Sequence, residues 1–160
     1  MPINEPEERL ELDSRLTELS RVRLWVDSLA GRLGLSEGTR FAIHLCMEEA
    51  VANVVLHGYR SEPGHSIVIR SSVAGGALSF VIQDQAPPFA PVEPPAMQPA
   101  SLESATTLES IQPGGNGIRL LYRFAGSLGY EQLADGNRLT LGFPVEPNPV
   151  DSSADSQLAG

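Results

Sequence analysis

At 160 residues with 41% hydrophobic side chains, the chain has room for one domain with a real core and too little for two comfortable ones. Its net charge of -9 argues against nucleic acid as a ligand, because phosphate backbones are held mainly by Lys and Arg. Residues 1–9 are acidic without an apolar signal core and no run approaches the length of a membrane span, so a cytoplasmic protein with no membrane contact is expected. The single cysteine, Cys46, cannot form an intrachain disulfide. It lies in an apolar run and reads as a small buried hydrophobe in a reducing compartment.

Residues 1–8 read as a tail, after which Leu10, Leu12 and Leu16 suit a short strand. From Thr17 the set Leu19, Val22, Val26, Leu29 and Leu33 recurs at helical spacing, with Ser14 or Thr17 as its cap and Gly34 as its stop. Trp25 with Arg15, Arg21 and Arg23 falls on a solvated or partner-facing side of this helix. The stretch Ser36 to Thr39 caps a second helix, which is expected to end on Gly58. At about 100° per residue, Glu49, Ala52, Asn53 and Leu56 share a narrow stripe, with Glu48 about a quarter turn away. A carboxylate and a carboxamide one turn apart fit two readings. Their oxygens are hard ligands of the kind Mg2+ accepts, and the carboxylate can take a proton from an attacking group. Alternatively, Glu48 and Glu49 are solvated and Asn53 is a satisfied buried amide. His57 and Tyr59 close the run, placed either to touch a ligand or, for His57, where a helix C-terminus favours it anyway.

Two alternating runs, Ser66 to Val73 and Ala77 to Gln83, joined through Ala74, Gly75 and Gly76, predict a β-hairpin. Leu78, Phe80 and Ile82 share a face, and period two carries Asp84 onto it at the rim of the core. A carboxylate there needs a donor, either a purine amino group or a backbone N–H in the strand-ending turn. Residues 86–113 hold seven prolines and no Lys or Arg, so neither helix nor sheet persists, and the stretch reads as a lid. Gly114 to Ile118 opens an apolar helix containing Leu120, Leu121, Phe124 and Ala125. Closely spaced glycines at such a start either bring backbone N–H groups to a phosphate or simply make a tight entry. Leu128 to Leu133 and Arg138 to Phe143 alternate around Asp135, Gly136 and Asn137 as a second hairpin. Residues 145–160, rich in Pro, Ser and Asp, are expected to be disordered.

In this order the three polar signals resemble the histidine-kinase-like ATPase superfamily, and within it the anti-sigma factor serine kinases, over about Leu12 to Pro144. Glu48-Glu49-Ala-Val-Ala-Asn53-Val-Val-Leu-His57-Gly58-Tyr59 is similar to the family's asparagine box. Asp84-Gln-Ala-Pro-Pro-Phe-Ala-Pro91 resembles its first glycine box, Gly114-Gly-Asn-Gly-Ile-Arg-Leu-Leu121 its second, and Asp135-Gly-Asn-Arg-Leu-Thr-Leu141 its closing hairpin. The resemblance implies an α+β fold over about 9–144: a two-layer α/β sandwich of the Bergerat type, with helices covering one face of a mixed sheet. It implies that Asn53 holds Mg2+ against the phosphates of ATP, that Glu49 is the general base toward a partner's serine, and that Asp84 accepts from the adenine amino group. Gly115 and Gly117 would cradle phosphate. Asn137 stands where relatives often carry a threonine near that aspartate, within the same cofactor-binding set. Ala86 replaces a glycine of the first box, which would crowd the adenine edge. The implied function is an ATP- and Mg-dependent protein-serine kinase that phosphorylates a STAS-type anti-sigma factor antagonist and sequesters a sigma factor, with a homodimer permitted. Ala86 and the uncharged lid motivate an alternative: a protein-interaction switch of the same fold that senses nucleotide or has lost it, without kinase activity.

Overall fold

The computed structural model describes residues 5–88, 121 and 123–145. Strands β1 (Glu5–Asp13), β2 (Ser66–Ala74), β3 (Ala77–Asp84), β4 (Ser127–Leu133) and β5 (Gly136–Pro144) form one sheet in the order β1-β2-β3-β5-β4. All four pairings are antiparallel, so the sheet expected to be mixed is antiparallel among the described residues. The reason lies in the connections. β2–β3 and β4–β5 are hairpins, and two helices rather than one link β1 to β2, so the chain re-enters the sheet reversed.

β1 takes in residues that read as tail. Its polar start, Glu5 to Glu8, joins the sheet through an irregularity against β2, and two carboxylates there find partners: Glu7 pairs with Arg70, while Glu8 pairs with Arg32 and accepts from the Trp25 indole. Between β2 and β3 a two-residue turn, Gly75 and Gly76, has φ of 60° and 76°, the left-handed pair that matches the twist of a tight hairpin. At the other end, Val145 N–H donates to the Gly76 carbonyl at 2.9 Å, so the chain stays on the sheet one residue past β5.

Helix α1 (Leu19–Leu33) buries Val22, Val26, Leu29, Ala30 and Leu33, and it ends at Gly34 in a left-handed conformation. Neither Ser14 nor Thr17 caps it. A short 3-10 turn, Leu16–Glu18, leads in, and Ser14 is buried elsewhere, donating to the Glu62 carbonyl and accepting the His65 N–H. Helix α2 (Glu37–Asn53) starts as its sequence predicts, with Ser36 accepting the Thr39 N–H. Every residue from Glu49 to Val55 is buried, because this end of the helix lies within the layer shared by α1 and the sheet. Facing it are Ile67, Ile69, Leu78, Phe80, Ile82 and Leu141, each fully buried and each contributing about 1.5–3 kcal/mol of transfer free energy. Burial and the Glu49 charge push the Cys46 thiol up to about 12, consistent with an inert core residue.

The helical run ends on Gly58 as expected, but not as a regular α-helix. It widens into a π turn, Val54–Gly58, closed by Tyr59 N–H to the Val54 carbonyl. Val54 and Val55 stay in the core while Leu56 and His57 swing outward. The reversal falls to Arg60 and Ser61, whose φ of 53° and 63° are left-handed. No helix among the described residues is long and apolar enough to cross a membrane.

Candidate functional site

Asp84 is the last residue of β3 and sits directly opposite Asn137 in the β3–β5 ladder. Residues opposite one another on antiparallel strands share a face, so both side chains point into the helix-covered layer. Both are nearly fully buried. Asn137 Nδ2 donates to Asp84 Oδ1 at 2.8 Å, and the Ala86 N–H donates to the same oxygen at 2.9 Å. Burial raises the Asp84 pKa above its ordinary value, while the two donors act against that rise. Ala86 is itself buried and adds a hydrogen bond to the carboxylate's support.

The hairpin turn that positions Asn137 consists of Ala134 and Asp135 alone, since Leu133 pairs with Gly136. Gly136 and Asn137, expected in the turn, lie within β5. The glycine is needed because a Cβ there would lie 1.9 Å from the Asp84 carbonyl oxygen. The two strands approach too closely at this point for any side chain.

On α2 the stripe Glu49, Ala52, Asn53 is buried, whereas Glu48 turns toward α1 and pairs with Arg23. The two adjacent carboxylates thus part company. Asn53 Nδ2 is buried without a hydrogen-bond partner, a position that costs about 1–3 kcal/mol unless a ligand supplies an acceptor. A satisfied structural amide does not describe it. No group of three or more His, Cys, Asp and Glu residues is arranged to hold a metal among the described residues.

A cleft joins the two sides. Ala50, Asn53 and Val54 line it from α2 and its π turn, Ile82 and Asp84 from β3, Tyr130 from β4, and Asn137 and Leu139 from β5. Its walls are apolar apart from Asp84, Asn53, Asn137 and the Tyr130 hydroxyl. The space between these walls is about 10 Å³, no more than room for a water, so a flat apolar ligand with a donor toward Asp84 would enter only as the walls part.

A family model of the histidine kinase-like ATPase domain matches residues 12–143. The chain belongs to this family. Among relatives of this ATPase domain, serine/threonine-protein kinase BtrW of Bordetella bronchiseptica is 32% identical over 134 residues, 82% of this chain and 89% of that protein. The anti-sigma F factor of Halalkalibacterium halodurans is 25% identical over 118 residues, 74% of this chain and 77% of that protein. Among solved structures, that of the RsbU and RsbW domains of Rv1364c from Mycobacterium tuberculosis superposes with a TM-score of 0.58 at 17% identity. It covers 90% of this chain and 34% of that one, a likeness of fold.

Within the ATPase domain the α+β layer of helices on a sheet is as the sequence implies. Asn53, Asp84 and Asn137 meet at one cleft, and Glu49 lies one helical turn from Asn53. Tyr59 is engaged within the protein: its hydroxyl donates to the Ser66 carbonyl and accepts the Gln85 N–H. His57 is exposed. Gly115, Gly117 and all but the first residues of the lid lie outside the described residues. Tyr130 was not singled out by sequence, although its alternation with Leu128 on β4 carries the signal.

Proposed function

We propose that this ATPase domain binds ATP in the cleft between Asn53 and Asp84, and transfers the γ-phosphoryl group to a serine of a STAS-type anti-sigma factor antagonist. We further propose that it sequesters a sigma factor in the cytoplasm. The observation that carries this reading is the pairing, in one apolar cleft, of a buried acceptor at Asp84 with an unpartnered buried amide at Asn53. Two relatives matched over most of their lengths, one named a serine/threonine-protein kinase and one an anti-sigma factor, support it.

In this reading Asp84 accepts from the 6-amino group of adenine while Ala50, Val54, Ile82 and Leu139 enclose the base. The Asn53 carboxamide oxygen is a hard donor that would hold Mg2+, and the ion would offset the charge of the phosphates. Backbone N–H groups at Gly115 and Gly117 hold the phosphate oxygens. Glu49 takes the proton from the serine hydroxyl as its oxygen bonds to the γ-phosphorus and the bond to the bridging oxygen of ADP breaks.

The test is incubation with ATP, Mg2+ and the cognate antagonist, with nucleotide binding followed by calorimetry in parallel. Wild type is expected to bind ATP and label the antagonist on serine, and Glu49→Gln to bind ATP and leave it unlabelled. ATP binding by wild type without labelling would instead mark a nucleotide-sensing switch, and no binding heat would exclude a nucleotide role.

A further inference from the structure

Tyr130 has no part in the reading above, yet it lines the same cleft as Asn53 and Asp84. It sits on β4 opposite Leu139 and reaches along the sheet to Asn137, where its hydroxyl donates to Oδ1 at 2.6 Å. The other end of that amide faces acceptors only. Nδ2 lies 2.8 Å from Asp84 Oδ1, 3.3 Å from the Ala86 carbonyl and 3.4 Å from the Pro87 carbonyl. The three acceptors around Nδ2 set the orientation, NH2 to the carboxylate, and the phenol, which can donate or accept, donates to the oxygen at the other end. With Asn137 2% and Asp84 4% exposed, neither can exchange its partner for bulk water.

The orientation has a chemical consequence. Were the amide reversed, its oxygen would confront the carboxylate, and Asp84 would relieve the repulsion by taking up a proton. Burial already raises its pKa, and the Asn137 amide is one of the few groups opposing that rise. A protonated carboxyl offers a donor, so the cleft would then favour a base carrying an acceptor at the same position.

We propose that Tyr130 is a positioning residue for base recognition: by donating to Asn137 Oδ1 it anchors the amide with its NH2 on Asp84, and so presents Asp84 as a pure acceptor that selects a 6-amino over a 6-oxo purine. The proposal rests on the ATP reading and assigns its base specificity to a relay of three side chains from three strands.

The experiment is calorimetric titration of wild type, Tyr130→Phe, Asn137→Thr and the double variant with ATP and with inosine triphosphate, which differs at the 6-position. Wild type is expected to prefer ATP. Tyr130→Phe should lose about tenfold in ATP affinity, the size expected when one buried acceptor loses its donor, while inosine triphosphate binding holds or rises. On the Asn137→Thr background the second substitution should change nothing, because the relay is already cut. A Tyr130→Phe protein that keeps the wild-type ratio, or weakens both nucleotides alike, overturns the proposal. So does an effect that persists in the double variant, since Tyr130 would then act without Asn137. Wild type that binds neither nucleotide overturns the ATP reading itself, an outcome distinct from the other three.

Discussion

The Tyr59 hydroxyl accepts the Gln85 N–H at 2.7 Å and donates to the Ser66 carbonyl at 2.8 Å. Tyr59 follows the π turn that continues from Asn53, and Gln85 follows Asp84, so one side chain ties together the two walls of the cleft. The ring is also stacked on His65, with centroids 4.6 Å apart and planes 4° from parallel. Tyr59→Phe keeps that packing and strips partners from one N–H and one carbonyl. The expected loss in urea unfolding is about 1–3 kcal/mol with an unchanged denaturant slope. An unchanged midpoint would show that water replaces the hydroxyl at no cost.

Replacing Asp84 by Asn separates the fold's use of this residue from recognition. The Asn oxygen still accepts from Asn137 and Ala86, while the buried charge disappears. Burial raises the Asp84 pKa above 3.8, so the carboxyl's contribution to stability is fully present below 3.8 and is lost as pH rises through its folded value. Compared with Asp84→Asn, wild type should therefore lose ground across an acid window that begins near 3.8, and the difference should be level at neutrality. The variant is expected to be at least as stable as wild type at neutral pH. Its ATP affinity should nevertheless fall at least about tenfold, because an amide NH2 replaces an acceptor opposite the adenine amino group. Urea melts across the acid range, with ATP titrations at neutrality, check both halves.

Much of this arrangement is legible in sequence because it depends on local periodicity. Leu78, Phe80, Ile82 and Asp84 alternate onto one face, and the buried pattern of β3 follows them. Gly34 ends α1, and Ser36 caps α2. What sequence does not reveal depends on long-range register. Placing Asn137 opposite Asp84 requires a turn confined to Ala134 and Asp135, and the reach of Tyr130 to Asn137 requires the β4–β5 pairing as well. The strand over Glu5–Glu8 is held by ion pairs with residues more than twenty positions away, so no apolar alternation announces it. The π turn after Asn53 is likewise hidden, since Val54 to Gly58 carries the same residues an ordinary helix end would.

Asn53 tests whether an unpartnered polar group marks function. Because its Nδ2 makes no hydrogen bond, Asn53→Ala removes no such bond at that atom. The expected loss of stability is under about 1 kcal/mol, smaller than the 2–5 kcal/mol typical of truncating a packed aliphatic side chain. ATP affinity in the presence of Mg2+ should fall at least about tenfold over the same substitution. A large stability loss with unchanged ATP affinity would assign the residue to the fold alone.

Gly136 offers the sharpest contrast between two kinds of glycine. A Cβ on it would lie 1.9 Å from the Asp84 carbonyl oxygen, 2.8 Å from the Asp84 carbonyl carbon and 2.9 Å from the Gln85 Cα. All three atoms are backbone, so no flexible side chain can swing aside, and β5 must separate from β3 at the point where Asn137 meets Asp84. Gly136→Ala is expected to cost about 2–4 kcal/mol and to weaken ATP binding as the pair is pulled apart. Gly75, in the β2–β3 turn, has φ of 60° and nothing within 4 Å of an added Cβ. Gly75→Ala should cost about 1 kcal/mol through backbone strain alone and leave ATP binding untouched. Thermal melts and ATP titrations on the two variants decide the matter: equal effects on ATP affinity would mean that the close approach at Gly136 does not hold the Asp84–Asn137 pair in place.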